Sequence, residues 1–327
     1  MGVTEGLKSA LEAIYNIDNA KQILIVQDES KKEVANAFEN AIRESKFNGP
    51  LETFNIDDYR RPLQEMPKDL VRMIEKINPD LTITSFEAYA EERPMRIELL
   101  TKLEKIGRIA HCPGITQDML RDGGPFDMDY NQMKQKAIRM KRVVSQYDTF
   151  KIISGPNEEY ELNIYVGNRK WLDDLTIAER GFGNLPAGEI FVGPIENMAY
   201  GKMYVEHRAG EHLLKEPVIV TWANGKVVDL ESGDNEMEKL LKSELGRYKY
   251  NDIIGELGLG FNANSNPEAE ILESEKRGLH IARGPSLEFG SKYYCSDHED
   301  FLLINAKLIA IKDKNIRKIY DGGKVLI

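Results

Sequence analysis

Gln22-Ile23-Leu24-Ile25-Val26, followed at once by Gln27-Asp28-Glu29-Ser30, is a continuous apolar run closed by charge. A strand of that composition has no polar face to give to water, which is the habit of a parallel sheet covered by helices on both sides. Further strand candidates stand at 51–56, 81–85 and 107–111, with helical patterns between and before them at 4–15, 67–76 and 94–106. Another helix, capped by Ser30, runs to about residue 45. Strand and helix alternating at this spacing predict βαβ units in an α/β domain spanning 1–147. The first strand-to-helix turn contains no glycine, and neither G-x-G-x-x-G nor G-x-x-x-x-G-K-[ST] occurs there. The domain therefore reads as a scaffold, an oligomer surface or one wall of a cleft rather than a phosphate-binding fold. His111-Cys112-Pro113-Gly114 reads as a strand end and turn. A basic amphipathic helix at 127–147 leads into the second half.

The chain has 327 residues, long enough for two cores, and a net charge of −10 that argues against a nucleic-acid binder, which would want a basic stripe. No apolar run reaches membrane length, and the N-terminal residues do not read as a signal peptide. Cys112 and Cys295 are the only cysteines, so a reducing cytoplasm is the expected compartment.

From 148 to 327 the texture changes to short alternating strands at 150–153, 161–166, 218–222 and 226–230, with Ala223-Asn224-Gly225 as a hairpin turn and a helix at 237–245. This half reads as a β-rich α+β domain. Two of the five histidines fall in Gly278-Leu-His280-Ile-Ala-Arg283-Gly and in Asp297-His298-Glu299-Asp300, the latter at the head of the apolar run 301–304. On a strand, His298 and Asp300 project to one side, which suits a divalent metal. Exposed loop charges and a stray histidine are the other reading of the same residues. Glu189, in Gly183-Asn-Leu-Pro-Ala-Gly-Glu189-Ile-Phe, and Glu256, in Gly255-Glu256-Leu-Gly-Leu-Gly260, are isolated carboxylates among glycine and apolar residues. Such groups are costly unless paired or bound to a cation. Together the five donors suit two divalent ions sharing a carboxylate.

G-N-L-P-A-G-E-I-F, G-E-L-G-L-G, L-H-I-A-R-G and D-H-E-D-F-L-L, in that order, resemble the M29 metallo-aminopeptidases, the aminopeptidase T and aminopeptidase S family. The resemblance implies a metal-binding catalytic domain at 148–327. Glu189, Glu256, His280, His298 and Asp300 would hold two ions of zinc, cobalt or manganese, with Glu189 or Glu256 bridging. It further implies short peptides as substrate and a homodimer. Arg283 and Glu288 are candidate catalytic groups, Arg283 for a carboxylate or developing charge and Glu288, with Glu299 as the alternative, as a base. The chain departs from the family where a site tyrosine is expected, since Leu287 stands there. Tyr293 and Tyr294 are the nearby alternatives. Relatives of this fold include 2,5-dihydroxypyridine 5,6-dioxygenase, and His280, His298 and Asp300 match its Fe(II) triad. A mononuclear oxygenase and a non-catalytic metal-binding homologue are thus the rival expectations.

Overall fold

The computed structural model describes residues 1–87 and 89–327. They form two compact units, Met1–Gln135 with Asp174–Ala187, and Lys136–Asp173 with Gly188–Ile327. The chain first passes between them within the basic helix Tyr130–Val144, returns to the first unit at Asp174 and leaves it again after Ala187.

The first unit is the expected α/β layer structure. Its five-stranded sheet has the order Leu51–Asn55, Ile23–Gln27, Leu81–Ser85, Arg108–His111, Gly181–Asn184, and every neighbouring pair is parallel. Every residue of Ile23–Gln27 and Leu81–Ser85 is buried, as continuous apolar strands require. The helices Val3–Tyr15 and Lys68–Ile77 end on Asn16 and Asn78, both left-handed, which turns the last helical carbonyls toward a backbone donor. Two local readings change. The start of the helix Lys32–Glu44 is not capped by Ser30; Asp28 accepts from the Lys31 amide at 3.0 Å, and the Ser30 hydroxyl donates to Asp28. The fifth strand, Gly181–Asn184, lies inside the glycine-rich stretch that reads as loop, because Gly-Phe-Gly-Asn carries little strand propensity of its own. Tyr15 helps fix it by donating to the Gly183 carbonyl at 2.8 Å.

The second unit is built from two antiparallel sheets. One has eight strands in the order Lys226–Ser232, Val218–Ala223, Ala199–Val205, Tyr160–Tyr165, Thr149–Ser154, Lys307–Lys312, Asn315–Asp321, Lys324–Val325. Its 218–232 hairpin turns on Asn224 and Gly225, both at positive φ, as a two-residue hairpin demands. The other sheet has seven strands in the order His212–Leu213, Arg208–Ala209, Glu299–Leu303, Arg277–Arg283, Ile254–Phe261, Glu189–Val192, Leu172–Asp173. Trp171 and Trp222 are core residues, each 2% exposed, and both cysteines are free thiols. No helix among the described residues is long and apolar enough to cross a membrane.

Candidate metal centre

The candidate site lies on one face of the seven-stranded sheet, and strand register assembles it. Along Ile254–Phe261, Glu256, Gly258 and Gly260 share a face by the two-residue period. In the neighbouring strands Gly258 pairs with His280, Gly260 with Glu189, and Glu256 with Ala282, which itself pairs with Asp300. Donors therefore alternate with glycine and alanine across four strands, and the small residues make the room. A Cβ on Gly258 would sit 1.8 Å from His280 Nε2, so the imidazole lies directly over that glycine. This is what the G-E-L-G-L-G spacing accomplishes.

The structure brings all five metal-ligand candidates together. Glu256 divides its carboxylate: Oε1 lies 3.3 Å from His280 Nε2, and Oε2 lies 3.3 Å from His298 Nε2. Glu189 Oε2 is 3.3 Å from His280 Nε2, and Asp300 Oδ1 is 3.7 Å from His298 Nε2. One donor atom each from Glu189, Glu256 and His280 fall within 4.8 Å of one another, a grouping that could hold a metal ion. His298 is oriented from behind: its Nδ1–H donates to the Gly284 carbonyl at 3.1 Å, leaving Nε2 for the site. Gly284 itself must be glycine, since it sits at φ +88 and a Cβ would meet the Asp297 carbonyl oxygen at 1.9 Å. The His298 side chain is 34% exposed, whereas the other four are 9% or less. The site is closed except at His298.

The electrostatics favour a cation. Burial works to lower both imidazoles, yet the surrounding carboxylates raise both above the ordinary histidine value, Glu256, Asp300 and Glu189 acting on His280 and Asp300 and Glu256 on His298. Burial likewise works to raise Glu256, and the two histidines lower it instead. Carboxylates that raise both imidazoles against burial set a negative potential at the site. Carboxylate and imidazole donors at that potential fit a divalent ion.

Sequence reading missed Lys276. Its ammonium is 1% exposed and lies 2.6 Å from both Glu189 Oε1 and Glu275 Oε1. Glu273-Ser-Glu-Lys276-Arg reads as a solvated charge run, and nothing local announces that its lysine turns inward toward a glutamate 87 positions away.

The two catalytic candidates lie elsewhere. Arg283 is three residues beyond His280 and so faces the opposite side of the strand. There it is buried, ion-paired closely with Glu299, 3.5 Å from Asp297, 3.9 Å from Glu244 and bonded to the Asn251 carbonyl. Burial, with Glu244 and Asp297, pushes Glu299 up to about 7 against the pull of Arg283. Arg283→Met should destabilise the fold by about 3 to 5 kcal/mol, because it leaves these acids buried without their cation. Adding Glu299→Gln should restore part of the loss in denaturant unfolding. Glu288 sits exposed on the turn Leu287–Phe289. Leu287 is 59% exposed and Tyr294 54%, while the Tyr293 ring packs on Tyr250 with centroids 4.6 Å apart. Among the described residues, no hydrogen bond links either tyrosine hydroxyl to the five donors.

The segment carrying His298 is anchored by Glu196, which accepts from the Lys292 amide at 2.6 Å, the Ser291 hydroxyl at 2.7 Å and Arg169 at 2.9 Å. Burial opposes ionisation, but these donors bring its pKa from 4.5 down to about 2. Folding lowers the pKa, so the stabilisation is full above pH 4.5 and lost as the pH falls toward 2. Glu196→Gln should cost about 2 to 3 kcal/mol at pH 7, with the difference from wild type shrinking through that window in pH-dependent unfolding.

No protein-family model and no curated protein matches the chain in sequence. Solved structures match it in fold. AmpT from Thermus thermophilus superposes with a TM-score of 0.70 at 13% identity, covering 99% of each chain. The fold is aminopeptidase T-like. A 2,5-dihydroxypyridine dioxygenase from Pseudomonas putida KT2440 superposes with a TM-score of 0.67 at 14% identity, covering 99% of this chain and 96% of the other. At these identities the likeness establishes architecture, and chemistry has to be read from the site.

Proposed function

We propose that this chain is a metal-dependent aminopeptidase of the M29 type that removes N-terminal residues from short peptides. The observation that carries the reading is the divided carboxylate of Glu256, one oxygen toward His280 and the other toward His298. A carboxylate used that way serves two cationic positions at once. Glu189 and His280 would complete one position, and His298 and Asp300 the other. When bound, a divalent ion such as zinc, cobalt or manganese supplies Lewis-acid polarisation of the scissile carbonyl and a water whose pKa is brought to about 7. The remaining work belongs to the chain. Gly284 holds the His298 Nδ1 proton so that Nε2 is presented in one tautomer. Burial of Glu189, Glu256, His280 and Asp300 excludes bulk water and strengthens their electrostatic field. The exposed edge of His298, with the Phe289 ring 6.1 Å from it, is the side from which a peptide can approach.

Protein loaded with each of the three ions should hydrolyse leucine and alanine amides, and His298→Ala should lower the rate at least ~100-fold, the scale on which even supporting residues of metal sites act. Absence of hydrolysis with all three contradicts the proposal.

A second reading is favoured by the composition of the set His280, His298 and Asp300. Two imidazoles and one carboxylate are the donors of mononuclear iron(II) oxygenases, and the dioxygenase structure is about as similar as AmpT. Oxygen uptake with a dihydroxypyridine and one iron per chain would select it. A chain that binds no ion after supplementation would contradict both readings and leave a binding or assembly module.

A further inference from the structure

We infer that Lys276 is a built-in cation of the metal centre, so that the site takes one divalent ion per chain instead of two. The inference rests on the metal-site reading above and settles how its two cationic positions are filled. Lys276 is buried and carries an ammonium with three donors. Two of its contacts are carboxylate oxygens at 2.6 Å, Glu189 Oε1 and Glu275 Oε1. Glu189 is the carboxylate that also approaches His280, through its other oxygen. A divalent ion set between Glu189 and His280 would share that carboxylate with the ammonium and lie within a few ångströms of a like charge in a water-poor interior, where repulsion is weakly screened. Among the described residues, no lysine or arginine pairs with the other end of the cluster, where Glu256 Oε2, His298 and Asp300 meet. That end keeps its donors for a metal and opens to solvent at His298. Lys276 is held in place at the backbone as well: its carbonyl accepts from the Asn262 amide at 2.9 Å and its own amide donates to the Glu273 carbonyl at 3.1 Å. The ammonium is therefore a fixed part of the site and not a mobile surface charge that happens to reach it.

The test is the number of ions bound at saturation, counted by elemental analysis of dialysed protein loaded with zinc or with manganese and checked by titration calorimetry. Wild type should bind one ion per chain. Lys276→Met, which frees Glu189 and Glu275, should bind two. Glu189→Gln should still bind one, and it provides the decision if Lys276→Met does not fold. Two ions in wild type, one in folded Lys276→Met, or the loss of an ion from two to one in Glu189→Gln each overturn the inference while leaving the metal site standing. No ion in wild type overturns the inference and the metal-site reading together.

Discussion

Gly258→Ala is expected to weaken metal binding at least ~100-fold while leaving the strand in place. The backbone at Gly258 is ordinary extended strand, so alanine meets no conformational strain there. The obstacle is steric. The new Cβ would lie 1.8 Å from His280 Nε2, 2.4 Å from Cε1 and 2.5 Å from Cδ2, all far inside contact distance. The ring has to swing off the sheet, and Nε2 then leaves both Glu256 and Glu189. A variant with native circular dichroism and no calorimetric metal signal is the expected outcome. Unchanged affinity would mean that His280 neither binds the ion nor positions Glu256 for it.

Glu256→Gln is expected to have an effect of the same size, and a larger one than a change at any other acid of the site. The substitution keeps shape and volume and removes the charge that serves both imidazoles. Glu189 approaches His280 alone and is already paired with Lys276, so Glu189→Gln should cost less than ~10-fold, the lower edge for a supporting residue. Asp300 approaches His298 alone and should fall between the two. The ranking Glu256, Asp300, Glu189 can be read from titrations with zinc under one buffer. Equal losses at all three would argue that each is an independent ligand and that Glu256 has no bridging position.

Much of the architecture was legible because burial writes itself into composition. The uninterrupted Ile23-Leu24-Ile25-Val26 run could only be a strand covered on both faces, and the hairpin at Asn224-Gly225 announced its own turn. The strand Gly181–Asn184 was illegible, since two of its four residues are glycine and its pairing partner lies some seventy positions earlier. At the site, the two-residue period placed His298 and Asp300 on one side, and glycine bracketing singled out Glu189 and Glu256. The same period also separates His280 from Arg283, which lie on opposite faces however close they stand in sequence. Lys276 was beyond reach, because a lysine in a charged segment is ordinarily solvated and only the tertiary fold turns this one inward.

The central claim is that Glu189, Glu256, His280, His298 and Asp300 form one metal centre. Anomalous diffraction from crystals of the zinc- or manganese-loaded protein, recorded at the metal absorption edge, tests it most directly. The account predicts a peak at about 2.0 to 2.3 Å from donor atoms of Glu256, His298 and Asp300. A fully loaded crystal with no peak among these residues, or with its strongest peak at another histidine such as His207 or His212, would contradict it.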